Sequence, residues 1–128
     1  MGQGVIRELV MAKEIKAYIQ RWQVDKVVRA LQEAKAPGIS IVVVHPVGYG
    51  YEPNYFDQAY ESEDVLKRYH NLSVVKLEVI CRDEDVDRFV QTIQETACTQ
   101  SRGDGRIFVS DVTRAVRIRD CVEGDEAL

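Results

Sequence analysis

Apolar and polar side chains alternate over residues 14–20, with Ile15, Ala17 and Ile19 on one face, and this period of two predicts a half-buried strand. The period then lengthens. Val27, Val28, Leu31 and Ala34 recur at helical spacing, Asp25 stands where a cap is expected, and Pro37-Gly38 is the predicted stop. A second strand follows over residues 39–44, and a third, alternating one over 73–81. Residues 84–96 predict a second helix and residues 106–109 another strand. A short turn or helix around 111–115 leads to a last strand carrying V-R-I-R.

These elements repeat. A shift of 62 residues lays I-K-A-Y-I-Q at Ile15 on L-E-V-I-C-R at Leu77, and V-D-K-V-V-R-A-L at Val24 on V-D-R-F-V-Q-T-I at Val86. Chance agreement of amphipathic patterns is the alternative, which the matched V-D weakens. Two β-α-β units in tandem describe an α+β fold: a ferredoxin-like split β-α-β sandwich with four antiparallel strands and two helices on one face. Such a sheet leaves its other face bare, including Val74 and Ile80, so a closed homo-oligomer is expected to cover it.

Between the second and third strands, residues 45–72 lose all periodicity and hold G-Y-G, several tyrosines and scattered carboxylates. A connection this long is more often functional than filler. Tyr51, Tyr55, Tyr60 and Tyr69 suit packing or partner contact better than modification, and Glu61, Glu63 and Asp64 read as a solvated acidic stretch.

With 128 residues, 45% hydrophobic and 30% charged, the chain is expected to form one domain with one core. Residues 1–12 are assigned to an N-terminal extension and 13–128 to the domain. A net charge of −4 lacks the basic excess of a nucleic-acid binder. No apolar run suits a bilayer and no signal peptide is evident, so a cytoplasmic protein is expected. Cys81, Cys98 and Cys121 read as free thiols, Cys81 in the core. His45 and His70 lack ligand-spaced companions, so no metal site is predicted, and no nucleophile–base arrangement suggests an enzyme.

Chemistry concentrates at residues 99–106, T-Q-S-R-G-D-G-R. Gly103 and Gly105 let backbone N–H groups approach an anion closely, although G-D-G is also ordinary turn chemistry. Arg117 and Arg119 tip the balance. On a strand they would share one face, and their guanidinium forks beside Arg106 would make a polyphosphate clamp.

The chain resembles the PII family of signal-transduction proteins from Lys13 to Leu128. The resemblance rests on K-E-I-K-A-Y-I, V-D-K-V, P-G-I-S, G-Y-G and V-K-L-E-V, and above all on T-x-x-x-G-D-G-R-I-F-V with V-x-R-A-V-R-I-R and E-G-D-E-A-L. It implies a homotrimer with adenine nucleotides (ATP, ADP or AMP) in clefts between neighbours. Phosphates would lie on Thr99, Gly103, Asp104, Gly105 and Arg106, with Arg117 and Arg119; Gly48 and Gly50 would stand at the loop root, and Ser40, Glu78 and Ile80 would line base and sugar. The C-terminal stretch 117–128 would fold over the nucleotide, while the long loop would contact a protein target such as a transporter, an enzyme or a carboxysome component.

Departures qualify this. Nitrogen-sensing members follow G-F-G with R-Q-K-G, whose glutamine helps bind magnesium and 2-oxoglutarate, whereas this chain reads Y-E-P-N from Tyr51 and has Val74 in place of an oxoacid-binding lysine. The resemblance therefore runs toward the divergent members linked to inorganic carbon, with bicarbonate as second effector, or to metal efflux. A nitrogen regulator responding to 2-oxoglutarate and a weak nucleotide hydrolase stand as alternatives; the hydrolase lacks an evident water-positioning residue and a complete Walker motif.

Overall fold

A computed structural model describes residues 10–48, 51, 64–65 and 74–128. Most of the N-terminal extension, most of the long loop, and Gly50, Tyr55, Tyr60, Glu61, Glu63, Tyr69 and His70 lie outside the described residues. The strands of the main sheet are β1 (Ala12–Gln20), β2 (Ser40–Val44), β3 (Val74–Arg82) and β4 (Arg106–Val112); the helices are α1 (Val24–Glu33) and α2 (Val86–Ala97). Strand order is β2-β3-β1-β4 and every pairing is antiparallel, which is the expected ferredoxin-like arrangement.

The repeat is visible in the boundaries. β1 and β3, the 3-10 turns Arg21–Gln23 and Asp83–Asp85, and the starts of α1 and α2 are each separated by the offset of 62. Ile15, Ala17 and Ile19 of β1 pair in register with Val79, Leu77 and Val75 of β3, and all six are buried beneath Val27, Leu31, Phe89 and Ile93 of the helices. Cys81 is buried as expected, and burial pushes its thiol pKa up.

Four local expectations are corrected. Asp25 does not cap α1: Gln23 precedes the helix, makes no side-chain cap bond, and turns inward at 1% exposure. There its Nε2 donates to the Ala97 carbonyl at 3.2 Å, while its Oε1 finds no partner among the described residues. Pro37-Gly38 does not stop α1 either. The helix closes earlier, with Lys35 in the left-handed region (φ 72°) and bonds from Ala36 N to Leu31 O (2.9 Å) and Lys35 N to Gln32 O (3.0 Å), a Schellman ending. Residues 111–112 are not a turn but the end of β4, because Asp111 and Val112 stay in register with Lys13 and Ala12 and Lys13 Nζ reaches Asp111 at 3.0 Å.

Finally, the V-R-I-R strand is only β5 (Val116–Arg117), paired with β6 (Val122–Glu123). Cys121 sits at φ 60° and its N–H donates to Arg117 O at 2.9 Å, so the chain turns before Arg119 and strand alternation does not extend to it.

The uncovered sheet face is less apolar than anticipated. Lys16 pairs with Glu14 (3.1 Å) and Lys76 with Glu78 (2.8 Å), interspersed with an edge-on contact of Tyr18 and Phe108 at 6.0 Å. Val74 is buried, and Ile80 and Phe108 remain about half exposed.

Candidate functional site

The connection from α2 to β4 is built around one carboxylate. Cys98 is already extended, which ends the helix, and Asp104 folds back to accept from Thr99 N (2.6 Å), Ser101 N (3.2 Å) and the Thr99 hydroxyl. The Thr99 hydroxyl first, then the N–H groups of Thr99, Ser101 and Gln100, hold its carboxyl below the usual range. Asp104 is thus the staple of the loop, with its oxygens engaged inside it.

Gly105 shows why the stretch needs glycine. At φ 109° it lies so close to β1 that a Cβ would stand 1.6 Å from the Tyr18 carbonyl oxygen and 2.8 Å from the Tyr51 hydroxyl. Gln20 Nε2 donates to Gly103 O at 2.7 Å, fastening the loop to the same end of β1. Arg106 then begins β4 opposite Tyr18, and alternation puts it on the uncovered face with Phe108.

Here a cavity of about 300 Å³ opens, lined by Tyr18, Val44, His45, Tyr51, Arg106 and Phe108. The root of the long loop forms its wall. Gly48 has φ 86° and bridges to Tyr51, whose N–H donates to Gly48 O at 2.9 Å. Tyr51 is 5% exposed, its hydroxyl donates to Tyr18 O at 3.4 Å, and burial pushes its phenol pKa up against the opposing charge of Arg106. On the helix side of β4 a second, mainly apolar cleft of about 360 Å³ runs between Val90, Ile93 and Ile107, with Cys98 and Asp104 at its rim.

Thr99, Gly103, Asp104, Gly105, Arg106 and Gly48 are therefore brought together at one end of the sheet. The arginine pair is not. The C-terminal segment attaches where β1 begins, through Met11 N to Asp125 Oδ1 (2.9 Å) and Arg82 Nη2 to Asp125 O (3.2 Å). Six steps of about 3.3 Å along β1 separate Ala12 from Tyr18, the partner of Arg106, so that end lies about 20 Å from the Arg106 row. Within one chain, the turn carrying Arg117 therefore attaches at the opposite end of β1 from Arg106.

Arg117 forks onto Asp120, Nε to Oδ1 at 3.0 Å and Nη2 to Oδ2 at 2.7 Å, and also donates to Glu126 O at 3.3 Å. Arg119 is largely exposed, 3.9 Å from Asp120. Ser40 and Glu78 face each other across β2 and β3, on the row of Lys16, and Ile80 lies one pleat further from the row of Tyr18 and Arg106. None of the three lines the Arg106 cavity.

Sequence reasoning missed Tyr51 and Asp120 as site-shaping residues, and Tyr18 and Phe108 as cavity walls. The aromatics on the polar face of β1 and β4 were the available signal. Among the described residues no group of three His, Cys, Asp or Glu is placed to hold a metal ion, and no helix is long and apolar enough to cross a membrane.

Residues 12–121 match the protein family described as Nitrogen regulatory protein P-II. Among curated relatives, the Nitrogen regulatory protein P-II of Rhodobacter capsulatus is 35% identical over 116 residues, 91% of this chain and 99% of that protein. Nitrogen regulatory protein P-II 1 of Escherichia coli K12 is 36% identical with the same coverage, and P-II 2 of Methanothermobacter thermautotrophicus is 35% identical over 94% of this chain and 100% of its own. The crystal structure of Arabidopsis thaliana PII bound to citrate superposes with TM-score 0.71 at 24% identity, covering 93% of this chain and 94% of that one.

Proposed function

The chain belongs to the nitrogen regulatory protein P-II family, a family of signal-transduction regulators rather than enzymes, and from that premise we propose that it binds an adenine nucleotide and regulates a partner protein. The reading is carried by the glycine loop, which Asp104 staples and Gly105 seats on β1 so that Arg106 stands at the mouth of the aromatic cavity. That arrangement offers an anion a charge-assisted fork and a planar base an apolar wall.

The second half of the grip comes from another copy. The turn carrying Arg117 and Arg119 attaches at the far end of β1, about 20 Å from the Arg106 row, which supports a closed homotrimer in which one protomer supplies the loop and its neighbour the arginines. Ser40, Glu78 and Ile80, with Gly48 and Gly50 at the loop root, complete the lining of base and sugar in that assembly. Arg117 exchanges its Asp120 carboxylate for phosphate, which frees the segment up to Glu126 to rearrange over the ligand.

Nucleotide can then shift the long loop only through a difference in affinity between its states, and the favoured state is read by the target. Bicarbonate is the second effector we favour, with magnesium left open. A 2-oxoglutarate response is disfavoured because Val74 is a buried apolar residue and Tyr51 is turned into the cavity wall.

Calorimetric titration with ATP, ADP and AMP, with and without bicarbonate or 2-oxoglutarate, tests the reading. Binding of at least one nucleotide is expected, weakened about 10- to 100-fold in Arg106→Ala, the range for losing a charge-assisted hydrogen bond. Absence of binding by every nucleotide would refute it. Phosphate release well above that of the Arg106→Ala chain would instead favour the hydrolase.

A further inference from the structure

Tyr51 belongs to the long connection by sequence and to the glycine loop by contact. It is 5% exposed, although its chain neighbour in the pairing, Gly48, stands at the start of an aperiodic stretch. Its hydroxyl meets the Tyr18 carbonyl at 3.4 Å, the same oxygen that the hydrogen of Gly105 approaches so closely that a methyl group could not fit. Two groups from separate parts of the chain, the Tyr51 hydroxyl and Gly105, thus converge on the carbonyl of a third, and the residue after Gly105 is Arg106.

Resting on the nucleotide reading above, we infer that Tyr51 is a positioning residue for the anion: its buried hydroxyl pins the Tyr18 carbonyl and Gly105 together, and so fixes the direction in which Arg106 enters the cavity. Two features favour positioning over simple filling. First, burial keeps the phenol protonated and able to donate, and the group it meets is a carbonyl oxygen at the end of β1, where the strand pairing with Arg106 begins. Second, the space between Tyr51 and Gly105 is so small that a Cβ at 105 would crowd the hydroxyl at 2.8 Å, so the two residues specify one another.

A phenylalanine at 51 keeps the ring in the wall and removes only the donor. Its effect should therefore be confined to the orientation of the loop, and felt by ligands that carry phosphate.

The test uses the full chain and the variants Tyr51→Phe and Tyr51→Ala. Amide hydrogen exchange without ligand should speed up about tenfold at residues 103–106 in Tyr51→Phe and further in Tyr51→Ala, while the centre of β3 is unchanged. In calorimetry, ADP affinity should fall about tenfold in Tyr51→Phe whereas adenosine, which has no phosphate, binds as before. Unchanged exchange at 103–106 in both variants would overturn the inference, as would equal losses for ADP and adenosine, which would mark Tyr51 as packing alone. A parent chain that binds no ADP would sink the nucleotide reading instead, and the exchange measurement would still decide whether Tyr51 holds the loop.

Discussion

The two halves of the repeat share their strands, 3-10 turns and helix starts at one offset, yet the links that leave their helices differ in kind. After α1 the backbone closes a Schellman turn at Lys35 through its own amides, with Arg88 Nε donating to the Ala34 carbonyl at 3.1 Å. After α2 the helix ends abruptly in extended Cys98, and the chain spends Thr99, Ser101, Asp104, Gln20 and Gly105 on holding one loop against β1. The frame is duplicated and the chemistry is not. What a duplicated frame contributes is a rigid platform, and the groups proposed to bind lie in the link that departs from its counterpart.

Substitutions that treat the two links alike should therefore behave oppositely. Gly105→Ala is the largest expected effect, because the added methyl meets backbone at 1.6 Å in a conformation that non-glycine residues avoid. Thermal unfolding should show a loss of about 3 kcal/mol or more, or no folded protein. Arg117→Ala comes next on ligand affinity: ADP binding should weaken at least about tenfold by calorimetry, with a melting temperature close to the parent's, since the residue is only half-buried and its pair with Asp120 is local.

Asp104→Ala should be milder for stability, lowering the melting temperature by about 4 °C, as for losing a cap of about 1 kcal/mol. Its pH dependence sharpens the point. The folded carboxyl ionises below its unfolded value, so the contribution is complete above the ordinary carboxylate pKa of about 4 and is lost as pH falls through the lower folded value. Melting curves between about pH 6 and 2 should converge for the parent and Asp104→Ala at the acid end. The smallest effect has the opposite sign: Lys35→Gly relieves a left-handed lysine and should stabilise by about 0.5–1 kcal/mol, with ADP affinity unchanged. Equal destabilisation by the glycine-related changes on both links would remove the contrast.

The repeat made the fold legible, because β-period and helix-period apolar positions such as Ile15, Leu31, Leu77 and Phe89 are dictated by burial. The glycine loop was legible for a different reason, the local backbone demands of G-D-G. What stayed hidden depended on tertiary contacts. Nothing adjacent in sequence announces that Gln23 turns into the core rather than leaving the cap to Asp25, or that Asp120 captures Arg117 and bends the chain before Arg119. The placement of the arginine turn at the far end of β1 followed from Asp125 reaching Met11, a pairing across 114 positions that no local pattern encodes. Tyr51 was one tyrosine among several until its hydroxyl was seen against Tyr18.

Gln23 has a consequence of its own. Its amide nitrogen reaches Ala97, the last residue of α2, while its buried amide oxygen has no partner among the described residues. Gln23→Leu would remove an unpaired acceptor that costs about 1–3 kcal/mol and should raise the melting temperature. The same change would unhook the tail of one helix from the head of the other, so the stem of the glycine loop would lose its fixed address, and a gain in robustness would arrive with a loosened loop.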